Sequence, residues 1–147
     1  MKESDIPEVV AIEKRAYFQA WNKAFFRSCV RAGFSCWVLE QDDVICGYGV
    51  MSLKEKKVRI MNLCVRPDCQ TQGLGRRILS HLLEQARRSD AETVELEVRP
   101  SNHTALKLYK SMGFSDAGVQ YTYYLTRTGW EDAVTMALSL KNTAMAH

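Results

Sequence analysis

A strand, a glycine-containing loop, a helix and a second strand follow one another between Val58 and Val98, and this order restricts the fold more than any other feature. Residues 58–65 and 93–98 are predicted strands, and a helix is predicted from about Gly73 to Ser89. Its apolar residues recur at helical spacing, with buried positions at Leu74, Ile78, Leu82, Leu83 and Ala86. A helical connection of this kind joins parallel strands and is right-handed. We therefore expect a parallel strand pair at the centre of the sheet.

Two helices and two strands are predicted before this crossover. Ser4 or Asp5 can cap the first helix, and Asn22 can cap the second, which Gly33 ends. The predicted buried positions are Ile6, Val9, Val10, Ile12 and Tyr17 in the first helix, and Phe25, Phe26, Cys29 and Val30 in the second. The segments CWVLE and VICGYGVMSL, separated by a turn at 41–43, then indicate an antiparallel meander that 58–65 completes.

After the crossover, Ser101 can cap a further helix that ends at Gly113, and 114–125 and 133–140 indicate two long antiparallel strands. The whole pattern predicts an α/β fold with a mixed, mostly antiparallel sheet and flanking helices. A length of 147 residues, 46% of them hydrophobic, suits one compact domain over 1–147 that needs no disulfide or metal for stability.

Composition and charge argue against several functional classes. The five cysteines are odd in number and include no CxxC pair, so we expect free thiols and no metal site. A net charge of +3 is too small to favour nucleic acid. Charged residues interrupt every apolar run before it reaches membrane-spanning length, and the first residues lack the apolar core of a secretory signal. We therefore expect a cytoplasmic protein without a membrane partner.

The hexapeptide QTQGLG at 70–75 precedes the predicted crossover helix and is the first candidate binding motif. Gly73 and Gly75 allow close approach of the backbone to a ligand, and a helix N-terminus attracts anions. No Gly-Lys-Ser/Thr follows, and the third glycine of a dinucleotide fingerprint is missing. Because ligands bind at the carboxyl ends of parallel strands, this loop and the turn at 99–103 should face one cleft. A glycine-rich surface turn is the simpler alternative.

Three blocks of sequence resemble the GNAT superfamily of N-acetyltransferases. NLCVRPDCQTQGLGRRIL resembles its acetyl-CoA motif, with the signature (Gln/Arg)-x-x-Gly-x-(Gly/Ala), and LEVRPSNHTALKLYKSMGF resembles the block that follows. YYLTRTGWEDAVTMAL resembles the end of the protein N-terminal acetyltransferases within that superfamily. The resemblance, from about Asp5 to Leu140, implies the GNAT fold and acetyl-CoA as acetyl donor. The strand that usually precedes the Asp-Ile-Pro stretch has no counterpart here, since Met1 lies only a few residues before Asp5. Either the protein lacks this strand, which could expose a sheet edge, or the sequence starts downstream of it.

The resemblance also implies which residues bind acetyl-CoA. They are Leu63, Cys64 and Val65, through their backbone, for the acetyl-pantetheine arm; Thr71, Gln72, Gly73, Leu74, Gly75 and Arg76 for the pyrophosphate; and Asn102 for a further contact. We interpret the Cys64 side chain as a structural thiol and not as a nucleophile.

Glu97 matches the general base of the family, and Tyr109 matches its general acid. The alternation in TVELEV places Glu97 on the face opposite Val94, Leu96 and Val98, beside the expected cleft. Tyr109 follows Asn102 by seven residues, which returns it to nearly the same helix face. A solvated strand carboxylate and a core tyrosine are the alternatives that the residues alone leave open.

The acceptor is expected to bind between two aromatic segments. These segments contribute Tyr17 and Trp21 from the connection between the first two helices, and Tyr123, Tyr124 and Glu131 from the final strand pair. The resemblance implies a protein α-amine as acceptor, with N-terminal alanine of a small-subunit ribosomal protein favoured. The family's usual Pro-Trp is Ala20-Trp21 here, and its Asn-Tyr-Tyr-Pro ends in Leu125, so the acceptor could differ.

Two other functions remain open from the sequence. One is a GNAT enzyme that acetylates a small-molecule amine, and the other is a non-catalytic acyl-CoA-binding module. The presence of both Glu97 and Tyr109 argues against the module, and the Tyr-Tyr and Glu-Asp-Ala ending argues against the small amine. We expect a monomer or a weak homodimer.

Overall fold

The computed structural model describes residues 1–17, 20–53, 56–70, 73–126 and 129–140. For residues 118–126 and 129–132 it describes the backbone and not the side chains. The helices of four or more residues are α1 (Ile6–Ala16), α2 (Lys23–Arg31), α3 (Leu74–Arg88) and α4 (His103–Ser111). The strands are β1 (Ser35–Gln41), β2 (Val44–Ser52), β3 (Lys57–Val65), β4 (Thr93–Val98), β5 (Ser115–Thr126) and β6 (Gly129–Ser139).

The six strands form one sheet in the order β1-β2-β3-β4-β6-β5. Only β3 and β4 pair in parallel, and every other neighbouring pair is antiparallel. Helix α3 makes the crossover between the two parallel strands. The predicted mixed, mostly antiparallel sheet with a central parallel pair is therefore confirmed. The last strand, β6, lies between β4 and β5, so that β5 forms an edge of the sheet.

Helices cover both faces of the sheet. One apolar cluster lies between the sheet and helices α3 and α4, and the other lies between the sheet and helices α1 and α2. Helix α3 approaches β2 closely at two glycines, since a Cβ added to Gly47 would lie 2.7 Å from Ile78 Cδ1 and one added to Gly49 would lie 2.9 Å from Leu82 Cδ1. The glycines therefore set the depth at which α3 packs.

Three predictions about local structure were wrong. Helix α4 is capped by Asn102, whose Oδ1 accepts the Ala105 N–H at 3.2 Å, and not by Ser101. Strand β6 begins at Gly129 instead of residue 133. Phe25, which was predicted to be buried, is 44% exposed. Phe26 and Cys29 form the buried stripe of α2, and Phe25 points away from that stripe.

Strand β1 forms the other edge of the sheet. Within residues 1–17 the structure contains a short 3₁₀ turn and α1, and no strand. The amino group of Met1 donates a hydrogen bond to the carbonyl oxygen of Cys36 on β1 at 2.8 Å. None of the helices in the described ranges combines the length and apolar character needed to cross a bilayer.

Candidate active site

The central parallel strands separate halfway along their length. They pair from Lys57–Thr93 to Ile60–Leu96, after which β3 continues to Val65 without β4 as a partner. A cavity of about 670 Å³ lies where the strands diverge. It is lined by the second half of β3, the start of α3, the end of β4, helix α4 and the end of α1. The carboxyl ends of β3 and β4 thus face one cleft, as the crossover predicted.

A β-bulge at Met61 changes the faces to which the side chains of β3 point. Opposite β2, Ile60 pairs with Met51 and Asn62 with Val50, so Met61 is the additional residue. Ile60 belongs to the apolar cluster under α3 and α4; beyond the bulge Cys64 belongs to the cluster under α1 and α2. The bulge therefore turns Asn62 and Cys64 toward α1 and leaves their backbone along the cavity.

The N-terminus of α3 opens into the same cavity. Gly73 adopts a left-handed conformation (φ 73°) as the N-cap and has no side chain to cap the first turn. Gly75, one residue into the helix, lies against α4, since an added Cβ would be 3.3 Å from Leu108 Cδ2. Arg76 reaches the end of α4 and donates to Ser111 Oγ at 2.7 Å. Thr71 and Gln72 lie outside the described residues.

Glu97, Asn102 and Tyr109 all line this cavity. Glu97 is half-buried on β4, on the face away from Leu96 and Val98, and forms an ion pair with Arg59 of β3. Tyr109 is only 7% exposed, with its ring 5.9 Å from that of Phe114. The structure therefore brings the predicted base, acid and amide residues together.

The expected acceptor residues are described only in part. Tyr17 and Trp21 both line the cavity, and the Tyr17 hydroxyl donates to the Leu63 carbonyl oxygen at 2.8 Å. Burial, with smaller contributions from neighbouring groups, raises the pKa of Tyr17 well above its usual value, so that its hydroxyl stays a donor. The backbones of Tyr124 and Glu131 lie opposite each other in β5 and β6. The side chains of Tyr123, Tyr124 and Glu131 lie outside the described part of the chain.

Glu13 is a cavity residue that the sequence analysis did not identify. Its carboxylate is almost fully buried on α1 and accepts hydrogen bonds from the Tyr48 hydroxyl, from Asn62 Nδ2 and from the backbone N–H of Trp21. Glu13 follows Val9 and Val10 at helical spacing, so it falls on the apolar stripe of α1. A charged residue on an apolar stripe is the signal that could have identified it.

Cys64 has the environment of a protonated thiol. It is buried, and burial raises its pKa to about 11, although hydrogen bonding with Tyr48 and Tyr17 opposes the shift. All five cysteines are free in the structure. Because the thiolate and not the thiol is nucleophilic, Cys64 is a poor acyl acceptor at neutral pH.

Comparison with known proteins gives the family of this fold and cleft. Residues 6–114 match the model of the Acetyltransferase (GNAT) family. The chain is 34% identical over 140 residues to the [ribosomal protein bS18]-alanine N-acetyltransferase of Escherichia coli K12, covering 95% of both proteins. The chain belongs to the GNAT family and is an N-acetyltransferase. The resemblance to GNAT enzymes that the motifs predicted is thereby confirmed.

Solved structures share the fold over most of their length. The crystal structure of the ribosomal-protein-S18-alanine N-acetyltransferase from Escherichia coli superimposes with a TM-score of 0.89, at 34% identity, covering 95% of this chain and 90% of that one. Arabidopsis thaliana Naa50 in complex with the bisubstrate analogue CoA-Ac-MVNAL superimposes with a TM-score of 0.83, at 20% identity, covering 95% of each chain. The second likeness extends the fold to more distant proteins.

The raised pKa of Cys64 predicts slow and pH-dependent alkylation. With a pKa of about 11, fewer than about one in a thousand Cys64 thiols is ionised at pH 7.5. The ionised fraction rises about tenfold with each pH unit. Iodoacetamide labelling of the Cys64 peptide, followed by mass spectrometry, should accelerate accordingly between pH 7 and 9.5. The unfolded protein in guanidinium is the control, in which labelling should be fast. Rapid labelling of the folded protein at pH 7, or an acetyl adduct on Cys64 after incubation with acetyl-CoA alone, would contradict the prediction.

Proposed function

We propose that this enzyme transfers the acetyl group of acetyl-CoA to the N-terminal α-amino group of a protein, with the N-terminal alanine of ribosomal protein bS18 as its acceptor. The observation that carries the proposal is that one cavity joins the N-terminus of α3, whose N-cap Gly73 provides no side-chain cap, the part of β3 that has no β4 partner, Glu97, and the aromatic residues Tyr17 and Trp21. The similarity to the Escherichia coli enzyme over 95% of both chains supports this choice of acceptor.

The cavity walls fit the chemistry of acetyl-CoA. The first-turn N–H groups of α3 suit a pyrophosphate, since a helix N-terminus offers donors and a partial positive charge. The edge of β3 beyond Ile60 lacks β4 as a partner, so its backbone can pair with the amides of a pantetheine arm. The proposed contacts are Leu63, Cys64 and Val65 for this arm, 71–76 for the pyrophosphate, and Asn102. When bound, acetyl-CoA supplies the thioester that the amine attacks.

Glu97 and Tyr109 are proposed to move the protons. A protein α-amine has a pKa of roughly 7.7–8.0, so it is largely protonated at neutral pH and must lose a proton to become a nucleophile. Glu97 takes that proton before the attack, which frees the nitrogen lone pair. As the carbon–sulfur bond breaks, Tyr109 gives its hydroxyl proton to the departing sulfur, and the second proton that the nitrogen loses on becoming an amide restores the Tyr109 hydroxyl. The N–H groups of β3 near Cys64 are suitable donors for the developing oxyanion.

The aromatic segments are proposed to bind the acceptor peptide. Tyr17 and Trp21 line the cavity beside β3, and Tyr123, Tyr124 and Glu131 belong to the β5–β6 pair. Aromatic rings with polar tips can contact an extended peptide and hydrogen-bond its backbone. A ribosomal protein is a cytoplasmic acceptor, so we propose that the enzyme acts in the cytoplasm.

Substitution of Gly75 should abolish acetyl-CoA binding when it introduces a charge. Gly75→Asp places a carboxylate against the proposed pyrophosphate, and we expect affinity to fall by about a hundredfold or more. Gly75→Ala is the matched control, because its Cβ would meet only Leu108 at 3.3 Å and Val65 at 3.7 Å. Titration calorimetry measures the affinity of both variants for acetyl-CoA. Wild-type affinity in a folded Gly75→Asp protein would refute the proposed phosphate site.

Removal of the proposed base should slow the chemical step. Glu97→Gln should lower kcat by about 10²–10⁴-fold, since this is the usual contribution of a positioned base, and leave acetyl-CoA affinity near wild type. Glu95→Gln is the matched control, because Glu95 lies two residues earlier on the same face and pairs with Lys57. Tyr109→Phe should also lower kcat if thiolate departure limits turnover. Wild-type turnover in both Glu97→Gln and Tyr109→Phe would refute the proposed roles of these residues in proton transfer.

A competition assay with acetyl-CoA tests the acceptor. It offers peptides that begin with Ala, Ser, Gly or Met, N-terminally blocked peptides that contain lysine, and a panel of small amines. We expect the enzyme to require a free α-amine and to prefer N-terminal Ala, with a peptide of the bS18 N-terminus acetylated fastest. Efficient acetylation of polyamines or blocked lysine peptides, with the Ala peptides ignored, would establish a different acceptor.

A further inference from the structure

Helix α1 carries a buried carboxylate that the proposed chemistry does not use. Glu13 is only 1% exposed, and its Oε1 accepts from the Tyr48 hydroxyl at 2.5 Å and from Asn62 Nδ2 at 3.0 Å. Its Oε2 accepts from the backbone N–H of Trp21 at 3.0 Å. An ionised carboxylate is costly to bury unless donors surround it, and these donors come from β2, β3 and the α1–α2 connection. Glu13 therefore joins three segments beside the cavity.

The carboxylate of Glu13 fixes the orientation of the Asn62 amide. Asn62 donates from Nδ2 to Glu13 Oε1 at 3.0 Å, so its NH₂ group is turned toward Glu13 and its oxygen away. The described residues provide no donor for Asn62 Oδ1, and this oxygen is not among the fully buried unpaired atoms. Asn62 lines the cavity. The cavity wall thus presents a hydrogen-bond acceptor whose direction is set by Glu13.

This acceptor lies on the same face of the sheet as Glu97. After the bulge at Met61, Asn62 points toward α1, away from the apolar cluster under α3 and α4. On β4, Leu96 and Val98 belong to that cluster, so Glu97 points the opposite way. Two oxygen acceptors, one amide and one carboxylate, therefore flank the opening between β3 and β4. A ligand that donates two N–H groups from one nitrogen matches this pair.

We propose that Asn62 Oδ1 binds the primary amine of the acceptor and that Glu13 is the positioning residue that directs this oxygen into the cavity. After the ammonium has lost a proton to Glu97, one N–H of the neutral amine donates to Asn62 Oδ1, and this hydrogen bond holds the amine with its lone pair toward the acetyl carbon. The inference rests on the proposed transfer to an amine. It adds to that function a subsite for primary amines, whether they belong to a peptide or to a small molecule.

A double-mutant cycle tests this role. The variants are Glu13→Gln, Asn62→Ala and the double variant, with Glu8→Gln as the matched control on the exposed side of α1. Glutamine offers one acceptor oxygen where three donors require two, and its NH₂ allows Asn62 to reverse its amide. We expect each single variant to raise the KM for an Ala peptide by about tenfold, as for the loss of a charge-assisted hydrogen bond. Acetyl-CoA affinity should stay within about twofold of wild type, because Glu13 and Asn62 act on the acceptor.

Non-additivity separates positioning from a general loss of stability. If Glu13 acts through Asn62, the double variant should be within about twofold of Asn62→Ala in the KM for the peptide. Multiplied effects, an unchanged KM in Asn62→Ala, or a parallel loss of acetyl-CoA affinity would overturn the proposal. If Glu13→Gln does not fold, the KM of Asn62→Ala for the Ala peptide decides whether Asn62 binds the amine.

The wild-type enzyme separates this inference from the proposed function. If it ignores the Ala peptide and accepts another amine, the protein-acceptor proposal fails, and the same cycle is run with that amine. If it acetylates no amine, both proposals fail. A normal KM in Asn62→Ala with an active wild-type enzyme defeats only the amine subsite.

Discussion

The end of hydrogen bonding between β3 and β4 after Ile60 and Leu96 is the constraint on which the rest of the site depends. Each strand is held along its outer side beyond that point, β3 by β2 as far as Val65 and β4 by β6 as far as Val98. Only the inner sides of the two strands are left without a strand partner, and the backbone groups along them need partners from elsewhere. A cleft lined by strand backbone at the carboxyl ends of two parallel strands is the direct consequence.

The additional residue of the β-bulge, Met61, determines which face of the sheet the following side chains of β3 occupy. Without the bulge at Met61, strict alternation would direct Asn62 and Cys64 toward α3 and α4, into the apolar cluster. With it, Asn62 reaches Glu13, and Cys64 packs beneath α1. The backbone of the same residues remains at the cavity for the proposed pantetheine contacts. In the proposed reaction, the bulge thus allows one short segment to contact acetyl-CoA through its backbone and the acceptor through the Asn62 side chain.

The sequence predicted most accurately those features that depend on local periodicity. The crossover helix and β4 follow from apolar spacing alone, and β4 was predicted with its observed ends. Adjacent residues with similar capping ability, Ser101 and Asn102, could not be ranked, because only the fold decides which of them lies at the first turn. The order β4-β6-β5 was equally inaccessible, since a hairpin can place either of its strands against the sheet. Family resemblance supplied the roles proposed for Glu97 and Tyr109, which the residues alone left open.

The two carboxylates on the acceptor side are held in ways that suit different tasks. Glu97, whose side chain is 16% exposed, pairs with Arg59, whose side chain is 48% exposed. Water can solvate the Arg59 guanidinium when the pair opens, so Arg59 can give way to an incoming amine, which a proposed base requires because its partner must change during each turnover. Glu13 is buried among three donors on three segments, and its rearrangement would leave those donors unpaired. The exposure of Arg59 thus permits exchange of partners at the proposed base, and the burial of Glu13 fixes the geometry against which that exchange would take place.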